Sequence, residues 1–178
     1  TAIQTTSDGT AVAVKALVLG TGGTYDTLFQ IKFSDYPGMT DFDAVAISPI
    51  DSKAYCNVLV DGNSYIARFD ENGLEYVATA SATFNAGAFD LDGNFYVSSS
   101  TSCIVSTRVR CKVASYTNVH LLAGYSTTAG DLPTSPSSGF VPANPGSDIN
   151  IVKRDLNDGK GTLTWLVGID SKRIVAVS

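Results

Sequence analysis

One phrase of this sequence occurs twice. Phe42-Asp43-Ala44-Val45-Ala46-Ile47 and Phe84-Asn85-Ala86-Gly87-Ala88-Phe89 carry Phe, Ala and Ala in register, 42 residues apart. A fixed period of that size marks a repeat architecture, in which each unit is one supersecondary piece that buries its apolar face only against its neighbours. Each copy then passes through an acidic turn, Asp51-Ser52 or Asp92-Gly93, into an aromatic strand carrying Tyr55 or Tyr96. After Tyr55 comes a hairpin that ends in Asn63–Asp70, with counterparts in Asp26–Phe33 and Ser171–Val177. From the phase of these counterparts the sequence is expected to open and stop partway through a repeat. Phe42 and Phe84 are expected at equivalent core positions on the inner strands of adjacent units.

Inside the unit the pattern is that of strands. Apolar residues alternate at period two in Ala11–Val14, Leu28–Phe33, Tyr65–Phe69 and Arg173–Val177, which puts one face of each segment into a core. Between such segments lie Asp61-Gly62, Asn72-Gly73, Asp92-Gly93 and Asp158-Gly159, dipeptides that tolerate the positive φ angles of tight hairpins. Of 17 acidic residues only Glu71 and Glu75 are glutamates; aspartate favours turns, whereas glutamate favours helices. No segment sustains a helical apolar stripe over three turns. The expected fold is a single all-β antiparallel domain over residues 1–178, with an amino-terminal strand segment (1–24) and a Pro/Ser/Thr-rich loop (126–147).

The phrases Phe42–Pro49 and Asn85–Val97 resemble the blade repeats of a propeller-like domain family of unknown function found in secreted and cell-surface proteins. The resemblance covers roughly Thr27 to Val97 well and Asp148 to Ser178 weakly. It implies β-propeller-like blades of about 42 residues and no particular activity. About three to four such units fit into 178 residues, against roughly four to eight in a closed ring. The ring is therefore expected to be small, incomplete, or completed by a neighbouring chain.

Composition narrows the partners. A net charge of −5 and a pI near 4.6 repel phosphate backbones, which removes the electrostatic term of nucleic-acid binding. No run reaches the roughly 18 apolar residues that cross a bilayer. The longest apolar stretch, Ala11 to Leu19, is interrupted by Lys15. No basic region followed by an apolar stretch and cleavage site opens the chain, so an exported protein whose leader has been removed is expected. Charged residues make up 16%, while Ser and Thr supply about a fifth; such a polar, weakly charged surface fits an extracellular or cell-surface location.

Three cysteines allow one internal disulfide. On a continuous strand Cys103 and Cys111 would stand about 26 Å apart, so they pair only if the chain reverses near Thr107. That pairing, with Cys56 a buried free thiol, is the first expectation; Cys56 bonded to either of the others is the alternative. Zinc lacks closely spaced ligands, His120 being the one histidine. Between Ser126 and Ser147 lie Pro133, Pro136, Pro142 and Pro145 among Ser and Gly, the composition of a surface loop. Thr134, Ser135, Ser137 and Ser138 are its candidate O-glycan acceptors; no Asn-x-Ser/Thr acceptor occurs.

The remaining chemical signals are weak. Gly20-Thr21-Gly22-Gly23-Thr24 lacks the Lys-Ser/Thr ending of a phosphate loop and reads as a turn. Asp90-Leu91-Asp92-Gly93-Asn94 offers alternating carboxylates but no bidentate acid after them, so a hairpin turn is favoured over a calcium loop. His120 sits in an apolar strand without a nucleophile elbow. Arg108, Arg110 and Lys112 alternate on one face, either to grip an acidic polymer or, more ordinarily, to guard an edge strand. Trp165 and the eight tyrosines either stack on sugars or pack between sheets.

The function expected is a non-enzymatic extracellular structural protein without a cofactor, a repeating subunit of a surface fibre or adhesin. A carbohydrate-binding module and a propeller hydrolase or lyase are the alternatives. Self-association into a homo-oligomer or filament is expected by strand addition through Ala11, Val12, Ala13, Val14, Leu17, Val18 and Leu19, a strongly apolar segment with no evident partner in the chain. Closure of that segment onto its own domain competes with this expectation.

Overall fold

The protein is described by a computed structural model that covers residues 3–18, 20, 22–80, 82–99, 111–116, 137–141, 149–154, 163–169 and 174–177. Fourteen strands run through these residues: β1 (Ile3–Ser7), β2 (Ala11–Val18), β3 (Thr24–Lys32), β4 (Met39–Ile47), β5 (Ala54–Val60), β6 (Asn63–Asp70) and β7 (Gly73–Thr79), then β8 (Ala86–Phe89), β9 (Phe95–Ser99), β10 (Cys111–Tyr116), β11 (Ser137–Val141), β12 (Ile149–Arg154), β13 (Leu163–Ile169) and β14 (Ile174–Val177). Among the described residues the one helical element is a 3-10 turn, Phe33–Asp35. Every strand pair is antiparallel. The fold is all-β.

The strands form four sheets, ordered β1-β2-β3, β4-β5-β6-β7, β8-β9-β10-β11 and β12-β13-β14. Each is a meander of neighbours, as short turns dictate. The β5–β6 hairpin turns on Asp61-Gly62, both at positive φ (49° and 77°), the conformation for which an Asp-Gly pair is suited. At the β6–β7 hairpin Gly73 pairs with Asp70, so the turn itself is Glu71-Asn72 and the glycine, at φ 133°, opens the next strand. β3, β6 and β14, the three strands matched by sequence, each stand third in their sheets.

Two apolar seams join the first three sheets. In the first, Val12, Val14 and Ile31 pack with Phe42, Val58, Tyr65 and Phe69; Phe42 meets Phe69 edge-on at 5.0 Å. In the second, Ala44, Tyr55, Ile66 and Val77 pack with Phe84, Phe95 and Val97. The second sheet is buried on both faces, which explains its near-continuous run of buried residues in β5 and β6. Phe42 and Phe84 are both buried and occupy successive seams. Full burial of such a side chain contributes about 1.5–3 kcal/mol.

Two expectations need correction. Ala11–Val18 does have partners: β2 pairs with β1 on one edge and β3 on the other, and Val12 and Val14 are core residues. The segment is apolar because it is the centre of its sheet, so its backbone edges are not available for strand addition; Leu19 lies outside the described residues. Second, the Pro-rich stretch is not wholly loop, since Ser137–Val141 forms β11 against β10. It fits between Pro136 and Pro142 at the sheet's outer edge, where flanking prolines cost no ladder bonds. Ser137 and Ser138 thus sit in an edge strand; Thr134 and Ser135 lie outside the described residues, as do Cys103, Arg108, Arg110 and His120. Cys111 begins β10, and Cys56 is a buried free thiol.

Candidate functional site

Two sheets approach closely where β8 runs beside β4. A bulge breaks the pairing of β4 with β5 between Asp43 and Ala46, and Ala44 takes a positive φ of 56°. This turns the Ala44 carbonyl toward β8, where a side chain on Gly87 would run into that oxygen and into the Phe95 ring. Glycine is needed at this position by close approach. Next to it Asn85 Nδ2 donates to Asp43 Oδ2 at 3.3 Å, linking the two residues that the repeat places at equivalent positions. Burial holds the Asp43 carboxyl above the usual range, against its bonds from the Ala44 N–H and Asn85.

Buried polar groups then fasten the chain as it crosses from β7 to β8. Asn57 in β5 is almost inaccessible; its Nδ2 donates to Ser64 Oγ (2.8 Å) and to the Tyr65 carbonyl (2.9 Å), and its Oδ1 accepts from the Phe84 N–H (2.9 Å). Ser64 in turn donates to the Ala82 carbonyl at 2.8 Å. These bonds satisfy backbone groups that the crossover would otherwise bury unpaired. Neither role is visible in the sequence, because a polar residue inside a strand carries no signal of which buried partner it meets.

The turns leading out of β4 and β8 repeat one device. Tyr55 Oη donates to Asp51 Oδ2 at 2.7 Å, and Tyr96 Oη to Asp90 Oδ2 at 3.3 Å. Asp90 also accepts from the N–H groups of Asp92 and Asn94 and from Asn94 Nδ2. Its oxygens hold the hairpin together, which accounts for the Asp90–Asn94 sequence as a turn. Burial raises the Asp51 carboxyl, but the bonds from Tyr55, Lys53 and Ser48 outweigh it and leave it below the usual range. No cluster of three or more His, Cys, Asp or Glu suited to a metal occurs among the described residues.

Two grooves are lined by described residues. The polar one, about 410 Å³, is bordered by Lys53, Arg68, Asp70 and Glu75. Four of its charges are paired, Lys53 with Asp70 at 2.6 Å and Arg68 with Glu75 at 2.7 Å, and Asp35 also borders it. The apolar one, about 460 Å³, lies between the first and second sheets and is lined by Ile3, Thr5, Val45, Ala46 and Ile47, with Phe29 and Phe69 at its base. Ile3 and Ile47 remain 39% and 50% exposed, so this part of the seam is unfilled. Complete burial pushes the Cys56 thiol well above the usual range. Among the described residues no helix is long and apolar enough to cross a membrane.

The chain matches no protein-family model, and neither a curated protein nor a solved structure is detectably similar to it.

Proposed function

We propose that this protein is a non-enzymatic structural subunit of an extracellular or cell-surface assembly, made of propeller-like blade units and joined to its neighbours by strand addition. The observation that carries the reading is the unequal sheets. The second and third sheets have four strands each, whereas the first and fourth have three; since β3, β6 and β14 each stand third, the strand those two sheets lack is the counterpart of β7, and among the described residues nothing pairs with the outer edge of β3 or of β14. An edge of that kind recruits another strand. Contact through different surfaces on donor and acceptor is head-to-tail and generates an open filament or a larger ring. The weak surface charge and the Ser/Thr content suit an exposed structural protein, and Thr134 and Ser135 are its proposed O-glycan sites.

Light scattering and electron microscopy of the purified full chain test this function. Ordered particles that lengthen with concentration are expected; a monomer at every concentration would refute the assembly. Intact mass of native material above the 18.6 kDa of the bare chain by whole hexose units is the expected mark of glycosylation.

A further inference from the structure

Of the chain's asparagines only Asn72 is followed by glycine. With Glu71 it makes the turn of the β6–β7 hairpin, and it is exposed. Its N–H donates to Asp70 Oδ1 at 2.8 Å, and its side chain also bonds the Asp70 carboxylate. Asp70 is ionised there: the Lys53 ammonium, 2.6 Å away, does most to hold its carboxyl below the usual range. Gly73 is fixed by the fold. Its φ of 133° is one that residues with a side chain rarely adopt, and a Cβ there would stand 2.9 Å from Tyr36 Oη. That hydroxyl accepts from the Leu74 N–H at 2.7 Å. The hairpin therefore sets an asparagine before a position that must be glycine.

We propose that Asn72 is a site of spontaneous modification, converted in the folded chain to aspartate and isoaspartate with loss of ammonia, and that the product loosens the β6–β7 turn. The Gly73 nitrogen gives up its proton and bonds to Asn72 Cγ. The Cγ–Nδ2 bond breaks, and the amide leaves as ammonia carrying that proton, so that a succinimide ring remains. Water opens the ring. Attack at Cγ leaves aspartate in a normal main chain, whereas attack at the backbone carbonyl carbon of residue 72 leaves the main chain running through Cβ and Cγ as isoaspartate. In both cases a hydrogen of the water returns to the Gly73 nitrogen and its hydroxyl completes a carboxyl group. Ring closure requires the nitrogen to reach the side-chain carbonyl carbon without obstruction, and glycine carries no side chain to obstruct it. The Asp70–Gly73 pair is the last rung of its ladder, so fraying of that rung is enough to free the nitrogen. Other asparagines lack these features: Asn57 is buried and bonded through both side-chain polar atoms, and Asn63, exposed like Asn72, precedes Ser64. Conversion sets a carboxylate against Asp70 where an amide donor stood. Isoaspartate also adds a methylene to the main chain just before the Leu74–Tyr36 bond.

The test incubates the folded full chain in mildly alkaline buffer, digests it, and sequences the peptides by electron-transfer fragmentation, which separates isoaspartate from aspartate. Both products are expected at position 72, accumulating about tenfold or more faster than at Asn63. Asn72→Gln, whose longer side chain must close a larger ring, is expected to cut conversion at this position by about tenfold or more. In the separated isoaspartate form the Leu74 amide should exchange with solvent about fivefold or more faster than in the parent, as the loss of one hydrogen bond implies. No product at 72 in folded chains overturns the inference, and its appearance in urea alone identifies shielding by the hairpin as the reason. Faster conversion at Asn63, or conversion undiminished in Asn72→Gln, overturns it equally. A Leu74 amide that exchanges at the parent rate overturns the loosening of the turn.

Discussion

The two seams of this protein begin from the same repeat position, Phe42 in the first and Phe84 in the second, and they close differently. Around Phe84 the strands are drawn together by polar bonds: Asn57 holds the Phe84 N–H, Ser64 holds the Ala82 carbonyl, and Asn85 reaches Asp43. Around Phe42 the contacts are aliphatic and aromatic, and one part of the seam stays open as a groove. Apolar residues are plentiful on both sides. The difference lies in whether an inner strand comes close enough to fill the seam, and that depends on Gly87 and on the bulge at Ala44.

Substitutions at the second seam probe this contrast, and the largest effect is expected at Phe84. It is fully buried, so Phe84→Ala should lower stability by about 3–5 kcal/mol in urea unfolding, and more than Phe42→Ala beside the open groove. Equal losses would mean that the two seams are packed alike. Asn57→Ala comes next, at about 2–3 kcal/mol, because it strands the buried Phe84 N–H. The same measurement reads it, and a loss no greater than that of an exposed Asn63→Ala would remove the polar fastening.

Smaller effects follow from close approach and from charge. Gly87→Ala should cost about 1–2 kcal/mol, since the new methyl meets backbone rather than a movable side chain; an unchanged urea midpoint would show that β8 stands further from β4. Asp43 is expected to make the smallest contribution. Its carboxyl is raised by burial, so the folded chain binds that proton more tightly than the unfolded chain does. Stability from this group therefore falls as pH rises from the ordinary aspartate range through the raised value, and is constant beyond it. Asp43→Asn removes the effect. The stability difference between variant and parent should shrink toward acid pH, and a difference independent of pH would contradict the burial.

Much of this was legible in the sequence because turns and periodicity are local. Asp61-Gly62 predicts its hairpin directly, and the 42-residue spacing of Asp43 and Asn85 anticipates the meeting of two equivalent strands, whereas the alternation in Tyr65–Phe69 marks a strand but not that both its faces are buried. What was not legible is non-local. Ile3–Ser7 has only one large apolar residue, so its pairing with β2 was hidden, and Ala11–Val18 looked unpartnered. The Asp8-Gly9 turn is the signal that reveals it: Asp8 Oδ1 accepts from the Thr10 and Ala11 N–H groups, and Gly9 takes φ 85°. The five residues of β11 were likewise masked by the prolines on either side of them.

The central claim is that β2 is an interior strand and that β1 and β3 are the two edges of its sheet. Residue-resolved hydrogen exchange on the monomeric chain tests it most directly. Amides of Ala11–Val18 should be strongly protected, while in Ile3–Ser7 alternate amides, those not bonded to β2, should exchange close to the rate of an open chain. Amides of Ala11–Val18 that exchange as fast as those of an open chain, or a β1 protected at every amide in the monomer, would contradict the claim.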